Sequence, residues 1–367
     1  MKLAHFERLA PICPVCRAAG LESRLQLGRI EKGTATEIEE GALLCSFAGC
    51  QREYPILLGI PILLSAIRAF IESSLLPILA RNDFAPSTLS MLGDCSQPGS
   101  VFDTIRSHQS SYGYNHFQEF ITASSRIPAE SLNDTAGSLA SLVRSAMSLA
   151  GAVPTGPQMD LGCGPGRATW EMARQLDEAG SDDLVLGIDM SVPLLQLARA
   201  AMSQQRVTFP LRRVGIVYDY VHAIVPKEHY ERVDFWCCDA TDLPFRDQQF
   251  ARLAAMNVID SLGSPLALLQ SMSRTMMPGG CAMIASPYDW SAAVTPMEQW
   301  IGGHSQRSRN EGQSDAMLRE LLTPGMHPQS IAGLSIAAEQ DRIPWKLRLH
   351  DRSSVHYDVH LTIAAKS

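Results

Sequence analysis

The second half of the chain alternates short apolar segments with segments of helical periodicity. The apolar segments have the pattern of buried strands: "QMDL", "LVLGID", "VDFWCC", "FARLAAMNVI" and "CAMIAS", which begin at residues 158, 184, 233, 250 and 281. Between them, segments such as "PLALLQSMSRTM" place apolar residues at helical spacing. Residues 335–340 and 355–365 also have strand patterns. Strands that alternate with helices in this way predict an α/β domain.

The region before this domain, residues 65–156, favours helices. Apolar spacing across residues 66–84 predicts one or two helices, with Pro77 kinking or ending the first. Residues 85–100 are rich in Ser, Pro, Gly and Asp, which indicates a linker. Residues 138–152 predict an amphipathic helix that packs against the sheet that follows.

Composition and charge narrow the class of protein. The 367 residues are 46% hydrophobic and 19% charged, which is typical of a globular protein with two or three domains. The net charge of −7, without a long basic run, disfavours a nucleic-acid backbone as the main partner. Pro and Gly interrupt the long apolar run at 54–67, so no membrane span is expected. The N-terminus lacks the features of a secretory signal, which predicts a cytoplasmic protein; the oligomeric state stays open.

Four cysteines near the start are spaced like metal ligands. Cys13 and Cys16 form a Cys-x2-Cys knuckle, and Cys45 and Cys50 form a Cys-x4-Cys knuckle 28 residues further on. Cytoplasmic cysteines are mostly reduced, and two such knuckles suit a closed tetrahedral zinc site. The alternative is four unrelated buried cysteines. The spacing therefore predicts a structural zinc ion held by these four thiolates.

The stretch "GALLCSFAGCQREYPILLGIPILL", residues 41–64, resembles the zinc-ribbon family of small methyltransferase-activator subunits. It departs from that family at the second knuckle, where four residues rather than two separate the cysteines, which makes Cys50 the least secure of the four ligands. The resemblance implies a zinc-ribbon domain over residues 1–66. That family keeps a methyltransferase partner soluble and ordered, and here the same chain could supply that partner.

A glycine-rich turn follows the first strand of the α/β domain. Gly162, Gly164 and Gly166 lie between that strand and a helix, an arrangement that suits a phosphate, a nucleoside or a carboxylate. Asp189 ends the second strand, where its carboxylate could accept both ribose hydroxyls. Asp239 ends the third strand and could accept from an adenine amino group. The order of these residues along the chain favours a nucleoside.

The motifs "DLGCGPG", "CDATDLPF" and "MMPGGCAMIA" resemble those of class I S-adenosylmethionine-dependent methyltransferases. The resemblance implies a Rossmann-like seven-stranded α/β domain over residues 150–367, which ends in an antiparallel pair of strands. The zinc ribbon would precede it, and residues 67–149 would form a helical linker and lid. Residues 206–232 form a longer connection than is common in that family and indicate an inserted hairpin.

By this resemblance the cofactor is S-adenosylmethionine. Asp160 and the three glycines would contact its methionine end, because a carboxylate there would repel a pyrophosphate but could face an ammonium group. The expected cofactor-binding residues are Asp160, Gly162, Gly164, Gly166, Asp189, Met190, Asp239, Ala240 and Asn257. An aromatic segment at 108–121 could close over the pocket, with Tyr112 or Tyr114 against the ligand.

The stretch "SPYDWSAAVTPMEQWIGG", residues 286–303, resembles the methyltransferase domain of ovothiol synthases. The resemblance implies a small polar acceptor with an N, O or S nucleophile, of which an amino-acid derivative is one candidate. The residues expected to act on it are Tyr288, Asp289, Trp300 and His304, with Trp290, Glu298 and Arg348 as further contacts. The alternative is structural: both tryptophans pack the loop onto the sheet, Asp289 caps a turn and His304 lies at the surface.

Two other functions remain open at this stage. Some rRNA methyltransferases also join a zinc module to this fold, but "NVIDSL" stands here where a base-stacking "NPPY" motif would be expected. A non-catalytic binding or scaffolding module is the second alternative, and the intact glycines and acids argue against it. The sequence therefore favours a small-molecule methyltransferase.

Overall fold

The computed structural model describes residues 1–71, 73, 89, 92–93, 96–122, 127 and 137–367. The helices expected around Pro77 and most of the linker expected at 85–100 lie outside these residues. The N-terminal region contains helices α1 (Leu3–Leu9) and α2 (Pro14–Ala18) and strands β1 (Leu25–Gly33), β2 (Ile38–Cys45), β3 (Glu53–Leu57) and β4 (Ile60–Leu63).

The remaining elements follow in the alternating order that the sequence predicts. The helices are α3 (Val101–Phe117), α4 (Leu139–Ala150), α5 (Arg167–Glu178), α6 (Val192–Gln204), α7 (Pro265–Thr275) and α8 (Ser314–Leu321). The strands are β5 (Gln158–Leu161), β6 (Val185–Asp189), β7 (Arg206–Val214), β8 (Val217–Ile224), β9 (Val233–Cys238), β10 (Phe250–Met256), β11 (Met276–Ser286), β12 (Leu334–His350) and β13 (Ser353–Lys366).

Serine residues fix where three of these helices begin. The hydroxyls of Ser100, Ser138 and Ser264 accept from backbone N–H groups three residues further on, at the starts of α3, α4 and α7. Each bond satisfies one of the N–H groups that a helix leaves unpaired at its N-terminus. The hydroxyl caps therefore define the first residues of α3, α4 and α7.

Seven strands form the α/β sheet in the order β9-β6-β5-β10-β11-β13-β12. The first five are parallel, and β13 runs antiparallel between β11 and β12. Strands β5, β9 and β10 are buried along their whole length, as strands covered on both faces should be. The predicted Rossmann-like seven-stranded fold with an antiparallel pair is confirmed.

The N-terminal ribbon is built into this sheet, which the sequence did not indicate. Strand β4 pairs with β9 in parallel, with Ile62 opposite Cys237 and Leu63 opposite Cys238. The antiparallel strands β1 to β4 therefore extend the sheet to eleven strands. Buried residues of the ribbon, among them Tyr54 and Ile62, belong to the same apolar core as the α/β domain.

The inserted hairpin is confirmed as a separate two-stranded sheet of β7 and β8. Helix α3 packs on it, and Phe117 of the helix contacts Phe209 of the hairpin within a second apolar cluster. The approach is close at Gly113, where an added Cβ would lie 2.6 Å from the Phe209 ring. The hairpin thus supports α3, the helix whose residues face the carboxyl edge of the parallel strands. None of the helices in the described ranges is long and apolar enough to cross a membrane.

Candidate functional site

A cavity of about 680 Å³ lies at the carboxyl ends of β5, β6, β9 and β10, beneath α3. In open α/β sheets this edge is the usual position of a ligand. Of the nine expected cofactor-binding residues, eight line the cavity: Asp160, Gly162, Gly164, Asp189, Met190, Asp239, Ala240 and Asn257. The sheet therefore brings together residues that lie far apart in the sequence.

The glycine turn, residues 162–166, needs glycine for two different reasons. Gly162 has a φ of +69°, and a Cβ there would lie 2.3 Å from Val258. Gly164 has a φ of +51° and lines the cavity, with its N–H donating to Asp189 at 2.8 Å. Gly166 is not a lining residue; a Cβ there would lie 2.7 Å from the Phe235 ring. Its place in the structure is the contact between α5 and the sheet.

Two carboxylates at this edge are held in unfavourable surroundings. Asp160 is buried, accepts from the Thr169 hydroxyl at 2.7 Å, and burial raises its pKa to about 7. Burial also raises the pKa of Asp189, although the backbone N–H groups of Gly164 and Ser191 donate to it at 2.8 and 2.7 Å. A cationic or hydroxyl-rich ligand would relieve part of this cost.

The third carboxylate, Asp239, lies in a loop that is clamped from two sides. Asp239 accepts from the N–H and hydroxyl of Thr241 at 2.8 and 2.6 Å. Arg274 of α7 donates to the carbonyls of Leu243 and Phe245, each at 2.7 Å. The ribbon supplies the second clamp: the Ile12 N–H donates to Pro244 O at 2.9 Å, and Arg17 pairs with Asp242.

Asn257 supplies the least satisfied group at the cavity. It follows β10, adopts a φ of +55°, and its N–H donates to Ala285 O at 2.8 Å. Its side-chain Oδ1 and Nδ2 are both buried, and within the described part of the chain neither has a hydrogen-bond partner. Because buried amides are normally paired, this residue fits a site that is completed by a ligand.

Helix α3 lies over the cavity with part of the aromatic segment expected there at 108–121, although most of its lining residues had no individual role in that expectation. His108, Tyr112, Asn115 and His116 line it, and only Tyr112 was expected there. His108, Tyr112 and His116 are spaced by four residues, so one helix face carries all three. That spacing was the signal available in the sequence. Tyr114 points elsewhere, with its ring centroid 5.2 Å from the Arg348 guanidinium.

The tryptophan loop, residues 286–303, lies beside the cavity and is held by contacts within the loop and by hydrogen bonds to β13 and α8. The rings of Trp290 and Trp300 stack with centroids 6.0 Å apart, and Trp300 Nε1 donates to Thr295 O at 2.8 Å. The Tyr288 hydroxyl pairs with His360 at 2.8 Å, and Asp289 accepts from Tyr357 at 2.7 Å. His304 is exposed and bonds Gly302 O.

The four residues expected to be catalytic are therefore placed outside the cavity. Tyr288, Asp289, Trp300 and His304 are not among its lining residues, and neither are Trp290, Glu298 and Arg348. Val294 is the part of this loop that reaches the cavity. Trp345 of β12 supplies the aromatic wall instead, and its ring stacks on Tyr357 with centroids 5.1 Å apart.

The four N-terminal cysteines converge as the zinc hypothesis requires. The Sγ atoms of Cys13, Cys16, Cys45 and Cys50 all lie within 4.8 Å of one another. The Cys16–Cys45 separation is 3.6 Å and the Cys13–Cys50 separation is 3.9 Å. Sulfur atoms around a tetrahedral zinc ion lie about 3.8 Å apart, which follows from a Zn–S bond of about 2.3 Å. The donor set and spacing fit a closed site of four thiolates, with Cys50 included.

Residues 159–284 match a family model described as a methyltransferase domain. This segment is about a third of the 367 residues and runs from β5 to β11, so it contains the glycine turn and all three carboxylates. The match shows that residues 159–284 resemble methyltransferase domains, and the strand order around them is that of a Rossmann-like α/β fold.

Several solved structures resemble parts of the chain. One, from work on the conversion of a disulfide bond into a thioacetal group during echinomycin biosynthesis, is 17% identical, with 74% of this chain and 92% of that chain covered and a TM-score of 0.41. The [4+2]-cyclase SpnF is 17% identical, with 71% and 96% covered and a TM-score of 0.39. A chain from the complex of the Haloferax volcanii Trm112 methyltransferase activator with a candidate methyltransferase is 18% identical, with 61% and 88% covered and a TM-score of 0.35. No curated protein matches the sequence.

Proposed function

We propose that this protein transfers a methyl group from S-adenosylmethionine to a small-molecule acceptor. The observation that carries the proposal is the cavity at the carboxyl edge, where a glycine turn, three carboxylates and the unpaired amide of Asn257 meet. The family match covers the strands that build this edge. The cofactor, when bound, would supply an activated methyl group, so the protein's main task is alignment and exclusion of water.

Each carboxylate suits one part of the cofactor. Asp160, beside the glycine turn, would face the ammonium group of the methionine end. Asp189 would accept from the ribose hydroxyls, and Asp239 from the adenine amino group, with Met190 and Ala240 against the nucleoside. The Asn257 amide can both donate and accept, which suits a polar group of the cofactor or the acceptor.

The acceptor class is narrowed by the charge of the cavity. The described lining residues include three aspartates and no Lys or Arg. A carboxylate or phosphate on the reacting part of the acceptor would therefore be repelled, whereas a neutral or cationic group is accommodated. Helix α3, Trp345 and Val294 restrict access, which favours a small molecule over an RNA strand. The reacting atom would be a neutral N, O or S nucleophile.

We also propose that Cys13, Cys16, Cys45 and Cys50 hold one structural zinc ion. The support is their convergence and the fusion of the ribbon to β9 through β4. Because four thiolate ligands leave no open coordination position, the metal would stabilise the fold and take no part in the transfer. Metal analysis of the purified protein should give one zinc per chain; protein that is folded but free of metal would refute the assignment.

Calorimetric titration with S-adenosylhomocysteine tests the cofactor proposal directly. We expect binding at one site per chain, and loss of binding in Asp189→Ala. A screen of paired acceptors would follow, with release of S-adenosylhomocysteine as the signal: histamine against histidine, tyramine against tyrosine and cysteamine against cysteine. The charge of the cavity predicts that the amine of each pair is preferred. Absence of cofactor binding by folded protein would reject the enzyme proposal.

A further inference from the structure

His116 bridges α3 and the glycine turn at the end of the cavity where Asp160 lies. It is 6% exposed, lines the cavity, and a Cβ built on Gly164 would lie 3.5 Å from its Cε1 and 3.6 Å from its Nε2. Its other nitrogen, Nδ1, accepts from the backbone N–H of Arg167 at 3.0 Å. Arg167 is the first residue of α5, so the imidazole caps the N-terminus of that helix.

The hydrogen bond fixes the tautomer of this histidine. Nδ1 accepts, so it carries no proton, and the neutral ring must then carry its proton on Nε2. Burial, and secondly the charge of Arg167, lower the pKa of His116 to about 3. The ring therefore stays neutral, and Nε2–H is a donor for which no partner occurs among the described residues.

The cation nearest to this position is already paired. The Arg167 guanidinium lies 2.9 Å from Glu119 and 2.6 Å from Glu171, and its side chain is not among the lining residues. Asp160 and Asp189 are the acidic groups that face this end of the cavity. A zwitterionic ligand would find a partner for its ammonium group in Asp160, but no cationic side chain for its carboxylate within the described lining.

We propose that His116 binds the carboxylate of the methionine end of the cofactor through its Nε2–H. The inference rests on the proposed function. The N-terminus of α5 adds a favourable partial charge at the same place, since helix N-termini attract anions. The neutral His116 donor and the helix N-terminus would thus replace the cationic side chain that usually binds a ligand carboxylate. Asp160, nearby, would hold the ligand's ammonium group.

Two ligands separate this role from a structural one. S-adenosylhomocysteine carries the amino-acid group, whereas 5′-methylthioadenosine has the same nucleoside and sulfur without it. In His116→Ala we expect S-adenosylhomocysteine to bind about 10- to 100-fold more weakly, as for loss of a hydrogen bond to a charged group. The affinity for 5′-methylthioadenosine should change less than about threefold, because it never made that bond.

Two further variants protect the comparison. Ser110→Ala is the matched control: Ser110 is buried in the same helix, does not line the cavity, and its hydroxyl accepts from the Arg212 N–H at 2.8 Å, so it reports loosening of α3 alone. It should not change the ratio of the two affinities. His116→Gln keeps an N–H donor and should recover part of the lost affinity for S-adenosylhomocysteine. If the alanine variant fails to fold, the ratio of the two ligand affinities in the glutamine variant tests the inference.

The outcomes are distinct. A selective loss of S-adenosylhomocysteine in the His116 variants supports the inference. Equal weakening of both ligands, or no change in either, overturns it and leaves the cofactor proposal intact. If the unchanged protein binds neither ligand, the proposed function itself is refuted.

Discussion

The glycine turn and the tryptophan loop lie at the same edge of the sheet and use their polar groups in opposite ways. Around the glycine turn, Asp160 is buried at a cost, and the Asn257 amide has no hydrogen-bond partner among the residues that the structure describes. In the tryptophan loop the indole N–H groups of Trp290 and Trp300 donate to Ser314 and to Thr295 O. The first region leaves polar groups that a ligand could pair, whereas both indole groups of the loop already have partners within the protein.

This difference helps to locate a ligand site, because unpaired buried polar groups lower the stability of the folded protein. A buried polar atom without a partner costs about 1–3 kcal/mol. A ligand can repay such a cost, which supports the proposed site at the glycine turn and a structural role for the tryptophan loop. Aromatic content by itself, which drew attention to the loop, does not discriminate between the two.

The strongest test of the comparison is Asp160→Asn. We expect S-adenosylmethionine to bind about 100-fold more weakly or worse, because the variant removes the charge that would face the ammonium group. Stability should change in the opposite direction. The folded pKa of about 7 exceeds the usual value for an unfolded chain, so ionised Asp160 destabilises the fold at high pH.

The effect of Asp160→Asn on thermal stability has a defined direction. At pH 8 the variant's Tm should be higher by about 2–4 °C, and the gain should shrink towards pH 5, where Asp160 is protonated in the fold. Calorimetric titration and thermal unfolding measure the two effects. A variant that keeps full affinity would remove Asp160 from the site.

The second test is Trp300→Ala in the tryptophan loop. Loss of the stacked ring and of the bond to Thr295 O should lower the free energy of unfolding by about 2 kcal/mol, since Trp300 is half-buried. S-adenosylhomocysteine affinity should stay within about twofold. Trp300→Phe, which keeps the stacking but not the N–H donor, should lose about half as much. A loss of affinity above tenfold would show that the loop belongs to the site.

These two regions also show what could be predicted from sequence. The fold and the eight lining positions follow from strand order, because residues at the carboxyl ends of adjacent parallel strands must meet at one edge. The turn conformation requires the glycines, and the acids stand where strands end. Both features appear in short sequence motifs. Gly166 shows the limit: it stands in the motif but packs against Phe235.

What could not be predicted depends on side-chain direction and long-range pairing. Whether Trp300 faces a ligand or another indole depends on Trp290, and sequence spacing does not determine ring direction. The parallel pairing of β4 with β9 joins residues about 175 positions apart, and no local pattern encodes it. His116 is similar, because its contact with Arg167 depends on how α3 crosses the sheet edge.

The third test uses pH to sharpen the same contrast. In the proposed site the ionised form of Asp160 faces the ammonium group, so affinity for S-adenosylmethionine should rise about tenfold between pH 6 and 7.5. His116 should not contribute, because burial lowers its pKa to about 3. The Asp160→Asn variant should show a flat profile. A wild-type profile that falls with pH would contradict the assignment.

The smallest expected change in affinity concerns the ribbon, which contacts the carboxyl edge of the sheet through the loop that contains Asp239. Arg17→Ala removes the pair with Asp242, three residues from Asp239, and should weaken S-adenosylhomocysteine binding about threefold to tenfold with zinc retained. Arg8→Ala is the matched control, because Arg8 pairs with Asp183 before β6, away from the cavity. It should change affinity less than about twofold. Equal effects of the two variants would mean that the ribbon stabilises the domain as a whole. A selective effect of Arg17→Ala would show that the ribbon orders the Asp239 loop.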